Sequence, residues 1–70
     1  MAEEIRAETV ASVYQVRVRD GHPVRPSVPV VILESMKTEI PVHPETSGHV
    51  VVKVAAGDVV QEGDLIAVVE

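Results

Sequence analysis

The chain repeats itself weakly at an offset of 36 residues. Gly21 aligns with Gly57, and the apolar segment 30–34 aligns with 66–70. Two units of this size are too few for a solenoid, and each is too small to bury its own apolar face. Packed face to face they would bury both faces, so the repeat predicts two similar halves related by quasi-two-fold symmetry.

The apolar residues indicate that the repeated elements are strands. The chain has 17 Val and four Ile against two Leu, and these β-branched side chains favour a pleated surface. Segments 12–18 and 48–54 alternate with period two, as half-buried strands do. In the first of them the alternation predicts that Tyr14, Val16 and Val18 share one face. The expected fold class is therefore all-β, a flattened β-barrel or sandwich.

Strand positions follow from the alternation and from the turn residues between strands. In the second half, Gly-Asp pairs at 57–58 and 63–64 are turn signals. In the first half the second turn is replaced by Pro26-Ser27-Val28-Pro29, which makes this region the least predictable. Pro41 has no N–H, so its strand is expected at a sheet edge, or with that position facing solvent. The predicted strands cover residues 5–8, 12–18, 30–34, 38–42, 48–54 and 65–70, with short extended pieces near Val24 and Val59.

Composition and charge argue against several classes of function. Seventy residues make one domain, expected to span residues 1–70, and the absence of cysteine removes disulfides and thiol chemistry. The formal net charge of -5 and the near absence of aromatic residues argue against nucleic-acid binding. The apolar runs, such as residues 29–33, are too short for a membrane span, and the first residues do not read as a signal peptide. A cytoplasmic location is expected.

The isolated polar residues do not form a recognisable catalytic or metal site. His22, His43 and His49 are scattered without the spacing of a metal pair, and they are expected at the surface. Ser35 and Ser47 have neither a nucleophile-elbow context nor triad partners. The sequence therefore predicts a protein that is not an enzyme and binds no metal.

The link between the two halves carries the segment Glu34-Ser35-Met36-Lys37-Thr38-Glu39 between two apolar strands. A tight hairpin is expected here, yet its centre contains no Gly, Asn or Asp, the residues that tolerate positive φ. A local rule broken at an exposed place often marks a functional site. The pattern alone leaves a second interpretation open, in which Lys37 is an ordinary solvated lysine in a longer turn.

This segment resembles the attachment site of the biotinyl/lipoyl carrier family. In the biotin carriers the modified lysine lies in a Glu-(Ala/Ser)-Met-Lys-Met setting, which Glu34-Ser35-Met36-Lys37 resembles. The resemblance continues through Gly48 to the Gly-Asp-x-Val-x-x-Gly-Asp segment at 57–64, and it is closest to the short, free-standing biotinylated proteins of actinobacteria. It implies the family fold, a barrel-sandwich hybrid of two four-stranded antiparallel sheets with quasi-two-fold symmetry.

Two positions beside the lysine bear on the identity of the attached group. Thr38 stands where the biotin carriers usually have Met. The lipoyl carriers share the fold but place Asp before the lysine, where this chain has Met36. The resemblance therefore favours covalent biotin on Lys37 over lipoate. A lipoyl carrier, or an unmodified interaction module with the same fold, remains as an alternative.

The resemblance also implies a role and partners. Lys37, flanked by Glu34, Ser35, Met36 and Thr38, would be biotinylated by a biotin protein ligase. The carrier would then move a carboxyl group between a biotin carboxylase and a carboxyltransferase of an acyl-CoA carboxylase-type system. The carrier itself makes no bonds, and neither nucleic acid nor a membrane is an expected partner.

Overall fold

A computed structural model describes residues 2–70 of the chain, which form eight strands. The strands are β1 (Glu3–Arg6), β2 (Ala11–Val16), β3 (Pro23–Val24), β4 (Val31–Ser35), β5 (Thr38–Val42), β6 (Gly48–Val52), β7 (Val59–Val60) and β8 (Leu65–Val69). They build two four-stranded sheets with the orders β1-β8-β6-β3 and β5-β4-β2-β7, and the pairings are antiparallel. The predicted all-β class and the predicted pair of sheets are confirmed.

The internal repeat appears directly in the topology. Exchanging each strand with the one four places along the chain converts the order β1-β8-β6-β3 into β5-β4-β2-β7. The turns obey the same relation: the His22 N–H donates to the Arg19 carbonyl at 3.0 Å, and 36 residues later the Asp58 N–H donates to the Ala55 carbonyl at 3.1 Å. The two halves are therefore related by the predicted quasi-two-fold symmetry.

The turn that the sequence left uncertain is present in both halves. The Val28 N–H donates to the Arg25 carbonyl at 2.9 Å, as the Asp64 N–H does to the Gln61 carbonyl at 2.9 Å. In the second half this turn needs Gly63, whose φ is 92°. In the first half Pro26 occupies the second turn position, where its fixed φ suits a turn that requires no positive φ. The first half forms the same turn with different residues. A search for Gly-Asp pairs alone therefore does not predict the turn at Arg25–Val28.

The core between the sheets is aliphatic. Its largest fully buried side chains are those of Val13, Val30, Val31, Val50, Ile66 and Val69. The alternation predicted for segment 48–54 is confirmed, since Val50 in β6 is buried, and Val52 and, beyond the end of the strand, Val54 pack against the core. The interior is therefore filled by closely packed aliphatic side chains, and none of the buried core residues is aromatic.

One predicted face is wrong at Tyr14. The pairing of β2 with β4 shifts register between Val13 and Gln15, which indicates a β-bulge at Tyr14. A bulge adds one residue to a strand and so reverses the alternation beyond it. Val13 is consequently buried, Val16 packs against the core, and Tyr14 is 49% exposed.

The strand ends differ from the predictions by at most two residues. The strand expected at 5–8 is β1, Glu3–Arg6, two residues earlier. The prediction for Pro41 is confirmed, because β5 is the edge strand of its sheet.

The Glu3 side chain forms a carboxylate clamp at the start of β1. The Glu3 side chain accepts hydrogen bonds from the Glu45 N–H (2.8 Å and 3.0 Å), the Thr46 N–H (3.0 Å) and the Thr46 hydroxyl (2.8 Å). These bonds tie the first strand to the connection between β5 and β6. Desolvation pushes the pKa of Glu3 up, but the Glu45 and Thr46 donors outweigh it and hold that pKa below its usual value of 4.5.

The lowered pKa predicts a pH-dependent contribution to stability. The charged Glu3 stabilises the fold fully above its unfolded pKa, and this contribution disappears as the pH falls through the lower folded pKa. At neutral pH we expect Glu3→Gln to lower the melting temperature, and we expect the difference from the parent to shrink below about pH 4.5. Thermal melts across this range test it, with Glu62→Gln at an exposed turn as the control. A difference that persists unchanged at pH 3 would contradict the assignment.

Candidate functional site

Lys37, the lysine that the family resemblance singles out, lies at the tip of the β4–β5 hairpin. The strands pair in continuous register down to Ser35 opposite Thr38, so that Met36 and Lys37 form a two-residue loop. Both have positive φ, 52° and 65°, as the type I′ turn of a short hairpin requires. The predicted tight hairpin is confirmed.

The backbone of this tip is strained. Of the residues that the structure describes, Met36 and Lys37 are the only non-glycine residues with positive φ. The left-handed region costs an L-residue about 1–2 kcal/mol, because its Cβ approaches the following carbonyl. Asparagine or glycine would occupy these positions more cheaply. Their absence shows that the loop is held by the hairpin beneath it rather than by its own preference.

The hairpin beneath the tip is firmly anchored. Leu33 and Val31 on β4 are buried in the core, opposite Ile40 and Val42 on β5, which pack against it. Because the pairs nearest the tip rest on these buried pairs, the loop projects from a fixed base.

The structure brings all five predicted site residues together at this end of the hairpin. The side chains of Glu34, Met36, Lys37 and Thr38 are exposed, and that of Ser35 is half-buried. Met36 is 95% exposed, which is unusual for an apolar side chain. The Lys37 side chain is therefore accessible at the exposed end of the hairpin.

The second lysine of the chain has a different setting. Lys53 directly follows β6, and its backbone N–H donates to the Ile66 carbonyl at 2.8 Å. Its side chain is exposed, but its backbone runs alongside β8 rather than forming a loop. Lys37 is therefore the lysine that a partner active site can reach at a projecting tip.

The charges around the tip are mostly negative. Glu34 and Glu39 are exposed and directly opposite each other, one pair below Ser35 and Thr38. Like charges in this arrangement repel. Across residues 2–70 the ion pair in the structure joins Arg6 and Glu4 of β1 at 3.0 Å and does not involve Glu34, Lys37 or Glu39. Acylation of Lys37 would remove the cation of the tip and leave the two carboxylates.

Other kinds of site are not found in the described part of the chain. Residues 2–70 contain no group of three or more His, Cys, Asp or Glu that could hold a metal ion, and no helix long and apolar enough to cross a membrane. An open groove of about 670 Å³ lies between β1 and β5. It is lined by residues 3–9, by Leu33, by residues 40–43 and by Glu45, and the hairpin tip is not part of this lining.

Comparison with known proteins identifies relatives along the whole chain. The family profile described as "Biotin-requiring enzyme", covering biotin and lipoyl attachment, matches residues 3–69. The "Biotinylated protein TB7.3 homolog" of Mycobacterium leprae is 53% identical over 70 residues, which covers 99% of both chains.

Two solved structures that match this chain are those of large carboxylases. The Kluyveromyces lactis urea carboxylase matches all of this chain with a TM-score of 0.92 and 34% identity. A single-chain, multi-domain long-chain acyl-CoA carboxylase matches 96% of it with a TM-score of 0.85 and 28% identity. The chain corresponds to 6% and 7% of those two proteins, respectively. The match therefore concerns a small part of each carboxylase.

Proposed function

The chain belongs to the biotin/lipoyl attachment family, and from this we propose that Lys37 is the residue that carries its covalent biotin. The family and the biotinylated relatives support biotin as the attached group. In this proposal the flanking positions Glu34, Ser35, Met36 and Thr38 are the sequence that the modifying enzyme meets. One attachment domain spans residues 1–70.

The observation that carries the proposal is the exposed lysine in a two-residue loop on a buried hairpin base. A lysine amine is a nucleophile only when it has lost its proton. The modifying enzyme must therefore surround the amine, remove its proton and orient it. A projecting loop with fixed φ lets the enzyme do so while the carrier stays folded.

We propose that this carrier serves an acyl-CoA carboxylase-type system in the cytoplasm. Domains of this family are carrier modules rather than catalysts. When bound, biotin supplies a ureido nitrogen that can hold a carboxyl group. In this proposal Lys37 meets three enzymes in turn: a biotin protein ligase, a biotin carboxylase and a carboxyltransferase. Tethering through one side chain raises the local concentration of the group at each active site.

Intact-mass spectrometry of protein purified from its native cells tests this proposal. We expect a mass increase of a single biotinyl group, and peptide mapping should place it on Lys37. A lipoyl group, or an unmodified chain in biotin-replete cells, would contradict the proposal.

A separate prediction concerns the choice between biotin and lipoate. Thioether side chains adapt well to an apolar partner surface, and Met36 is almost fully exposed beside the lysine. We expect Met36→Asp to slow biotinylation, because it introduces a charge and resembles the lipoyl pattern. We expect Thr38→Met to speed it with a non-cognate ligase, because burying an unpaired hydroxyl costs roughly 1–3 kcal/mol.

Steady-state kinetics of a biotin protein ligase on the parent and the two variants measure these effects. Both substitutions lie on the exposed tip, so melting temperatures should change little and serve as the control. If Met36→Asp is biotinylated as fast as the parent, Met36 is not recognised and the preference for biotin over lipoate loses its structural support.

A further inference from the structure

Exposed apolar residues collect at the end of the molecule that carries Lys37. Besides Met36, the most exposed large apolar residues are Val59 (69%) and Val10 (59%). Val59 pairs with Ser12, which in turn pairs with Glu34, so the row Val59–Ser12–Glu34 crosses the sheet just below the hairpin tip.

Measured along the strand direction, Val10 lies nearer to the hairpin tip than Val59 does. It directly precedes β2, where Ser12 is opposite Glu34, and extending that register by two residues places Val10 level with Met36. Ala11 and Val60 point into the core, so their neighbours Val10 and Val59 lie on the outward side. Strands are about 4.8 Å apart, which puts Val59 roughly 10 Å from Glu34 across the sheet. Val10 and Val59, here called the valine shoulder, thus stand beside the lysine loop.

The quasi-two-fold symmetry supplies an internal comparison. At the offset of 36 residues, Val10 corresponds to Thr46 and Val59 to Pro23. The opposite end of the molecule therefore has neither valine. The two outward valines accompany the lysine loop and are not a property of the repeated fold.

We propose that the valine shoulder is a docking surface for the biotin protein ligase that acylates Lys37, an inference that rests on the proposed function. Charge indicates the chemistry of the matching surface. Glu34 and Glu39 repel each other beside the shoulder, so a complementary enzyme surface is apolar opposite Val10 and Val59 and basic opposite the two carboxylates. An enzyme that must enclose the Lys37 amine approaches this end of the molecule and covers the adjacent shoulder.

The test replaces the two valines by threonine, which keeps shape and strand preference while exchanging a methyl group for a hydroxyl. We expect Val10→Thr/Val59→Thr to raise the KM of the ligase for the carrier about three- to tenfold with kcat little changed, because apolar area is lost from the contact. The matched control is Val51→Thr, at a valine 40% exposed on the other sheet. It should leave KM and kcat unchanged.

A binding measurement separates docking from chemistry. In a Lys37→Arg background that cannot be acylated, calorimetry should show the same weakening of ligase binding for the double variant and none for the control. Equal KM values for the parent, double variant and control, or equal losses in both variants, would overturn the docking surface. If the parent itself accepts no biotin, the proposed function fails instead, so the two failures are distinguishable.

Discussion

Replacement of Lys37 by arginine is expected to remove covalent biotin completely. The guanidinium group stays protonated at every accessible pH and cannot act as the acyl acceptor. The fold should be unaffected, because an exposed tip residue typically contributes within about 0.5 kcal/mol and arginine keeps the same charge. Streptavidin blotting and intact mass measure the modification, and a thermal melt confirms folding.

Lys53→Arg is the matched control for this experiment. Lys53 is also exposed, but it follows β6 and is bound to β8 through its backbone, so its replacement should leave biotinylation at the parental level. Biotin that persists in Lys37→Arg, or disappears in Lys53→Arg, would show that the attachment residue has been assigned incorrectly.

The two sheets could be predicted because the sequence patterns that indicate strands can be recognised without knowing which strands pair. Alternation with period two, β-branched composition and the offset of 36 residues each depend on neighbours along the chain or on direct comparison of the halves. The Tyr14 bulge could not be predicted in this way, since it is defined by the pairing of β2 with β4. The Glu3 clamp was missed for the same reason, because its partners lie 42 and 43 residues away.

The candidate site was found by combining residue preferences for turns with the family resemblance. Residue preferences argued against a tight turn at Met36 and Lys37. The family resemblance, in contrast, singled out Lys37, which lies between Met36 and Thr38. The structure resolves the conflict physically: pairing of Ser35 with Thr38 leaves only two residues for the loop, and both must adopt positive φ. The valine shoulder gave no signal of its own in the sequence, because its exposure depends on which face of each strand is turned outward.

The second large effect is expected in the core, at Ile66. This side chain is fully buried in β8, which lies between β1 and β6. We expect Ile66→Ala to lower the free energy of unfolding by about 2–5 kcal/mol, because the neighbouring strands cannot close the cavity left behind. A 70-residue domain typically has only roughly 4–10 kcal/mol in total, so the melting temperature should fall by about 10 °C or more. Thermal or urea unfolding measures the change.

Two controls show whether the loss comes from the cavity. Ile66→Val removes only one methylene group and should cost about 0.5–1.5 kcal/mol, whereas Val51→Ala on the outer face should stay within about 0.5 kcal/mol. A melting temperature for Ile66→Ala within a few degrees of the parent would show that the two sheets do not pack as closely as described. The result also bears on the site, since the strained loop at Met36 and Lys37 persists only while the hairpin beneath it is held. At temperatures where Ile66→Ala is unfolded, biotinylation of Lys37 should therefore fail, although every residue of the attachment segment is intact.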